Sequence, residues 1–353
     1  MKTLKIQHLL VIICIAIFFI QCKDEKIYYK APTFLQKYNA KVQIINNEYL
    51  FRYAHQPQIF DSMLIIGDMS ANDNICIFNR NNGNLIKSFG KIGNGPEELT
   101  TPVTYSIDKT NGYLYINDYS RKNIVQYNLK EIKNGQNIKT SFIKLSEEVE
   151  DRNRIIFIKD SLFISDGFND RLALITPNKI IKTSTNSPNI HNKFEFDKDW
   201  FAFTQLYTCM AASPNGKRFV SATIIGGVLE IYNIEKEDIK LYKTLYLYEP
   251  IFDKREHVFT PTQETIYGFC HLSANNNFFY ATAHGKISPT TMPNTIWKFD
   301  WEGNPVASYT CEYCIENFTV DDNNDLIYAT IYDENGEQVI GIIDIKNATL
   351  IQK

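Results

Sequence analysis

From residue 63 onward, short runs of alternating apolar and polar positions are separated by clusters of Asn, Asp and Gly, and the runs return in a fixed order. The clearest copy lies within residues 90–128: VTYSID, a Lys-Thr-Asn-Gly turn, YLYIND, a polar loop, then NIVQYN. Related phrases are MLIIGD with ICIFNR, RIIFIK with LFISDG and RLALIT, YTCMAA with FVSATI and VLEIYN, FCHLSA with FFYATA and TIWKFD, and NFTVDD with LIYATI and VIGIIDI. Period-2 alternation bounded by turn residues predicts strands and hairpins. The second strand of each unit starts at Leu64, Leu114, Leu162, Phe219, Phe278 and Leu326, so successive starts are 50, 48, 57, 59 and 48 residues apart.

A period near fifty, with about four short strands per unit and no convincing helix, is the pattern of a β-propeller. One four-stranded blade cannot bury both its faces alone. Blades must therefore stack around an axis, and the ring must close to remove exposed edges. The last unit shows three clear strands and then only residues 348–352, while KVQIINNEYLFRY at 41–53 supplies strands without a blade of their own. The prediction is an all-β chain, a six-bladed β-propeller over residues 41–353 whose N-terminal strand closes the last blade. A two-sheet sandwich would not need six copies of one phrase. Aromatic residues at 13%, with 21 Tyr and 23 Phe, agree with a strand-rich fold.

The first 21 residues are of another kind. Lys2 and Lys5 precede an uninterrupted apolar run at 9–20, too short to span a bilayer and of the length of a secretory signal core. The run ends Phe19-Ile20-Gln21-Cys22, which resembles a bacterial lipobox of the looser Bacteroidetes kind; the resemblance implies lipidation of Cys22 as the first mature residue. Lys23-Asp24-Glu25-Lys26 resembles the charged signal that sends some such lipoproteins to the cell surface. Residues 1–21 are thus read as a lipoprotein signal peptide, 22–40 as a lipidated tether, and the address as the cell envelope, on the outer membrane, facing either the periplasm or the surface. Removing residues 1–21 takes away two lysines and no acid, so the net charge moves from -3 to -5. A mildly acidic chain without a basic cluster excludes nucleic acid as a partner. The chain is read as monomeric.

Residues 88–99, SFGKIGNGPEEL, resemble the G-x-G-P-G-E-F phrase that opens blades in the TolB-like and NHL-like six-bladed propeller families, and 113–128 resemble the ending of that phrase. Glu97 stands where the family has Gly and Leu99 where it has Phe. The resemblance implies a Bacteroidetes propeller lipoprotein. Physically, the glycines permit a tight reversal between blades and Pro96 fixes φ. Glu98 is then expected at the mouth of the central channel, either as a ligand contact or as an acceptor for its own loop's N–H groups, the second being favoured.

Propeller ligands usually meet the face formed by loops between blades and loops joining second and third strands. Those loops carry Asp68, Asp118, Arg121, Asp166, Arg255, His257, His284 and Tyr332. Asp68, Asp118 and Asp166 occupy equivalent places, where Asp either rings a channel or, more often, holds a turn. His257, His271 and His284 lack close ligand spacing, and His271, inside an apolar strand, reads as a core histidine. Trp200, Phe201 and Phe203, beside acids in the insert after the third unit, form either a platform for a sugar ring or peptide or a plug for their loop.

Of seven cysteines, Cys14 leaves with the signal, and Cys311-Glu312-Tyr313-Cys314 has no second pair to make a zinc site. No nucleophile elbow, zincin, Walker or dinucleotide motif is present, and no cofactor is expected. The reading favoured is a lipid-anchored, non-catalytic module that binds a protein, peptide or glycan. The alternative is a propeller lyase or hydrolase with a metal or histidine site in the channel.

Overall fold

The computed structural model describes residues 28–46, 48–69, 71–166, 172–184, 208–255, 258–321 and 325–351. Cys22, Trp200, Phe201, Phe203 and His257 lie outside the described residues, as does the side chain of Arg255.

Six antiparallel sheets follow one another along the chain. Blade one comprises Ala54–Phe60, Met63–Asp68, Asp73–Asn79 and Leu85–Lys91. Blade two is Pro102–Asp108, Tyr113–Asp118, Asn123–Asn128 and Ser141–Lys144, with one short helix, Leu129–Lys133, capped by the Asn128 side chain. Blade three is Ile155–Lys159, Leu162–Asp166, Leu172–Thr176 and Lys179–Ser184, and blade four Thr208–Ala212, Arg218–Thr223, Val228–Glu235 and Asp238–Tyr246. Blade five begins with Ile266–Ala274, Phe278–Ile287, Thr295–Asp300 and Pro305–Thr310. Blade six has Cys314–Val320, Leu326–Tyr332 and Gln338–Asp344.

The N-terminus closes the ring. Val42–Asn46 pairs antiparallel with Gln338–Asp344, Val42 opposite Ile343, and so becomes the fourth strand of blade six. Asn46 Nδ2 then donates to Gly83 O of blade one at 2.6 Å, which ties the closing strand to the first blade. The inner strand of blade one, Ala54–Phe60, is hidden in the sequence by Gln56-Pro57-Gln58, because Pro cannot donate to a ladder. It survives by bulging: Gln56 sits at φ 46°, and the register shifts between His55 and Gln58.

Why the pattern specifies a ring is visible in the second and third strands. In blade one, Ile65, Ile75 and Ile77 pack against blade two, while Leu64, Ile66, Cys76 and Phe78 pack against Tyr328 and Ile340 of blade six. Every residue of MLIIGD is therefore buried although only alternate ones share a face. Six such apolar cores occupy the six blade interfaces. Each buried Ile or Phe contributes about 1.5–3 kcal/mol from burial, so stacking drives closure.

Residues 28–40 depart from the reading as a tether. From residue 28 the chain lies on the outside of blades four and five: Lys30 N donates to Tyr246 O at 2.9 Å, and the Phe34 ring packs against Trp297 and Phe299. Gln36–Asn39 adds parallel to Pro305–Thr310, and Thr349–Leu350 pairs with its other edge, making blade five six-stranded. The alternation in FLQKYN is too short and polar to read as a strand; its partners come from the far end of the chain.

Candidate functional site

The inner strands start at one face of the disc and enclose a cavity of about 790 Å³ on the axis, lined by residues from all six blades. Inner strands of neighbouring blades share no continuous ladder, so side chains lace them together. Gln56 donates to Val103 O at 2.8 Å and accepts from Tyr105 N at 2.7 Å. Thr104 and Ser106 serve Ile155 and Phe157 of blade three, Ser273 serves Val320, and His271 Nε2 lies 2.9 Å from Phe318 O. Much of the polar wall is thus structural, and His271 is the core histidine that its apolar strand implies. Burial pulls its pKa down to about 4, with the Phe318 carbonyl opposing, so it is neutral at pH 7.

At the mouth the chemistry differs. The inner strand of blade six shifts register between Ile315 and Asn317, so Glu316 is the bulged residue. Bulges re-aim side chains, and Glu316 lines the cavity. Its Oε2 accepts the Tyr332 hydroxyl at 2.9 Å, and Oε1 that of Tyr53 at 3.4 Å. Tyr332 is in turn bonded by Gln338 Nε2 at 3.0 Å, whose Oε1 accepts Ala54 N. Burial, then the neighbouring carboxylate, push the Tyr332 hydroxyl up to about 12 and raise that of Tyr53, so both stay protonated donors. Blade five contributes Cys270, the residue skipped in its own register shift, and His284, whose Nδ1 is buried with no hydrogen-bond partner among the described residues. Burial, then Lys286, lowers the His284 pKa. Cys209 Sγ of blade four donates to Cys270 O at 3.0 Å, its thiol pushed up to about 12 by burial. Opposite, Arg154 of blade three pairs with Asp166 at 3.2 Å.

The sequence-predicted residues divide. His284 and Tyr332 belong to the mouth. Asp68, Asp118 and Asp166 are almost fully buried and hold the strand-to-strand connection entering their own blade. Asp68 accepts the N–H groups of Arg52 and Tyr53; Asp118 those of Thr100 and Thr101; Asp166 that of Arg154. Burial raises the Asp166 pKa against the pull of Arg154. These carboxylates are clamps, which is the turn-holding role extended to a loop fifteen or more residues away in blades one and two.

Glu98 is not at the channel mouth. It lies between blades one and two, beside a recess lined by Phe89, Tyr127, Ile138 and Thr140. Its carboxylate accepts Gly95 N at 2.7 Å and pairs with Lys91 at 2.8 Å, and these two contacts, Lys91 foremost, hold it below the usual carboxylate range. Arg121 bonds Thr100 Oγ1 and Gly95 O and sits 3.8 Å from Asp118. Glu98, Asp118 and Arg121 therefore form one cluster that fastens residues 93–101, with Leu99 fully buried as its apolar anchor. Neither Gly93, Gly95 nor Glu97 adopts positive φ. The glycines leave the space into which the Glu98 carboxylate folds back, since a Cβ on either would meet it, and Glu97 tolerates its place for want of backbone strain.

Arg255 falls at the end of a strand pair, Phe252–Arg255 with Val258–Pro261, inserted between blades four and five. Cys311 and Cys314 are free thiols, as are Cys76, Cys209 and Cys270. Among the described residues no three His, Cys, Asp or Glu side chains are placed to share a metal ion. Glu316, Tyr53 and Cys209 escaped sequence reading because inner-strand residues look alike until a bulge or a neighbouring blade turns one toward the axis; a polar Glu inside an otherwise apolar strand was the available signal.

No curated protein matches the chain in sequence. Among solved structures, a protein from Bacteroides fragilis NCTC 9343 described as exported superimposes with a TM-score of 0.59 at 11% identity, over 92% of this chain and 99% of its own. A member of the DUF4221 family from Bacteroides vulgatus ATCC 8482 gives 0.49 at 11% identity, over 86% and 96%. A luciferin-regenerating enzyme gives 0.49 at 9% identity, over 88% and 97%. The first of these likenesses, at 11% identity, is one of fold. A family model described as TolB-like 6-blade propeller-like matches residues 33–323. The chain belongs to the TolB-like six-bladed propeller family.

Proposed function

We propose that the protein is a lipid-anchored, extracytoplasmic, non-catalytic binding module whose channel mouth receives a segment of a protein, peptide or glycan. The observation that carries this reading is the cavity of about 790 Å³ itself, open at the face where Glu316, His284, Tyr53 and Tyr267 gather from blades six, five and one. Pockets that combine apolar walls with a few convergent polar groups are the usual ligand sites of such folds. Of the groups that an enzyme reading would bring to this face, Glu98, Asp118 and Arg121 are bonded to the loop that they fasten, His284 stands at the mouth, and His257 and the Arg255 side chain lie outside the described residues.

The anchor is supported by Lys2, Lys5, the apolar run at 9–20 and Cys22. Residues 29 and 30 lie against Tyr246 on the outer strand of blade four.

The test is binding of the detergent-solubilised full chain to peptide and glycan arrays, repeated with Tyr267→Ala, which removes a wall of the mouth. Retention of specific ligands by the wild type and their loss in the variant is expected. Binding that is indifferent to Tyr267 would place the site elsewhere.

A further inference from the structure

We propose that the channel mouth recognises a lysine or arginine side chain of an extended peptide, with the Glu316 carboxylate as the receiving group. The proposal rests on the binding-module reading and names the chemistry of what that module binds.

Glu316 is 9% exposed and faces the cavity from a bulge. Among the described residues no Lys or Arg pairs with it; its only bonds are to the hydroxyls of Tyr332 and Tyr53, one to each oxygen. An ionised carboxylate offers about four acceptor sites, so the two hydroxyls leave room for a charged donor. A largely buried carboxylate that lacks a cation is costly, and the arrival of an ammonium or guanidinium offsets that cost. Arg154, a cation that also lines the cavity, is paired with Asp166 of its own blade.

The surroundings fit the rest of such a side chain. Tyr53 and Met69 are 44% and 49% exposed at the mouth, and Tyr267 and Met292 line it from blade five. Aromatic faces attract cations, and thioethers and rings cover an aliphatic stem. A metal ion would need further anionic or imidazole ligands, and the described residues bring no such set to Glu316. Neutral sugar hydroxyls would use the carboxylate but gain nothing from its missing countercharge.

The experiment is fluorescence-anisotropy binding of the detergent-solubilised full chain to positional-scanning hexapeptide libraries with one position fixed as lysine, arginine, acetyl-lysine or norleucine. The lysine and arginine libraries should bind about ten-fold or more tightly than the two neutral ones. Glu316→Gln, isosteric, with its amide oxygen still able to accept from Tyr332 and its NH2 able to donate to the Tyr53 hydroxyl oxygen, should erase that difference. Should Glu316→Gln fail to fold, the wild type alone decides. Its cationic preference must shrink several-fold between about 50 and about 500 mM salt, as screening requires. Equal binding of all libraries, a preference that survives Glu316→Gln, or one insensitive to salt overturns the proposal. Binding of glycans or neutral peptides without cationic preference overturns it but leaves the module reading intact, whereas no ligand on any array removes both.

Discussion

Asp118 Oδ2 accepts the backbone N–H of Thr100 at 2.7 Å, reaching back eighteen residues to the connection that brings the chain into blade two. Its other oxygen accepts Thr101 N at 2.9 Å. Asp118→Ala leaves two N–H groups without their buried acceptor and should cost roughly 2–4 kcal/mol in urea unfolding. Asp118→Asn, which keeps one acceptor oxygen, should cost distinctly less. Equal losses would mean that the carboxylate is not the clamp.

The loop that Asp118 holds has its own lock. A Cβ on Gly95 would stand 2.8 Å from the Glu98 carboxyl carbon. Gly95→Ala should therefore displace Glu98 from the Gly95 N–H and from Lys91 and lower the urea midpoint. In a Glu98→Ala background the same substitution should be close to neutral, and a double-mutant cycle measures the coupling. Additive effects would refute the account of why glycine stands there.

Ring closure depends on a tight contact as well. Gly341 lies under the closing strand, where an added Cβ would come within 2.7 Å of Val42 Cγ1. Gly341→Ala should destabilise by about 1–3 kcal/mol through overpacking, with proteolysis starting near residues 41–53. Val42→Ala in the same chain should restore part of the loss, and no recovery would argue against this contact as the cause.

Two histidines, His55 in the interior and the half-buried His271 on the cavity wall, set an acid limit. Burial lowers both His55 and His271 to about 4, against 6.5 for a free side chain. Between those values the unfolded chain binds protons that the folded chain refuses, so stability is full above about pH 6.5 and falls as pH drops toward 4. Each histidine should withdraw roughly 2 kcal/mol by pH 5. The urea midpoint should accordingly fall between pH 7 and pH 5, and His271→Gln, able to donate to Phe318 O, should flatten that fall. An unchanged slope would mean that His271 is not the titrating group.

The proposed anchor has a direct readout. Cys22→Ala should abolish metabolic labelling with a palmitate analogue, and a label that persists would rule out acylation at that residue.

The period near fifty, the Asn, Asp and Gly turns and the apolar runs MLIIGD, YLYIND and LIYATI were enough to fix blade number and the middle strands of every blade. These features are local: each strand's own residues record that both its faces are buried. The unpaired strand at 41–53 and the short last unit also pointed to ring closure, because an edge left open is a liability wherever it lies. The recurrent Asp was legible as a holder of turns, and His271 as a core histidine.

What only the tertiary structure decided concerns pairings between distant segments. Ala54–Phe60 reads poorly because Pro57 breaks its ladder, yet blades two and six complete it. Residues 36–39 become a strand only because Pro305–Thr310 and Thr349–Leu350 lie on either side. Glu98 moved from the expected channel mouth to the cleft between blades one and two because Lys91 and Gly95 capture it. Glu316 took the place at the mouth because one extra residue in its strand turns the side chain toward the axis. Hydrophobic alternation carries no information about such a turn, since a bulge changes the facing of a residue without changing the sequence pattern around it.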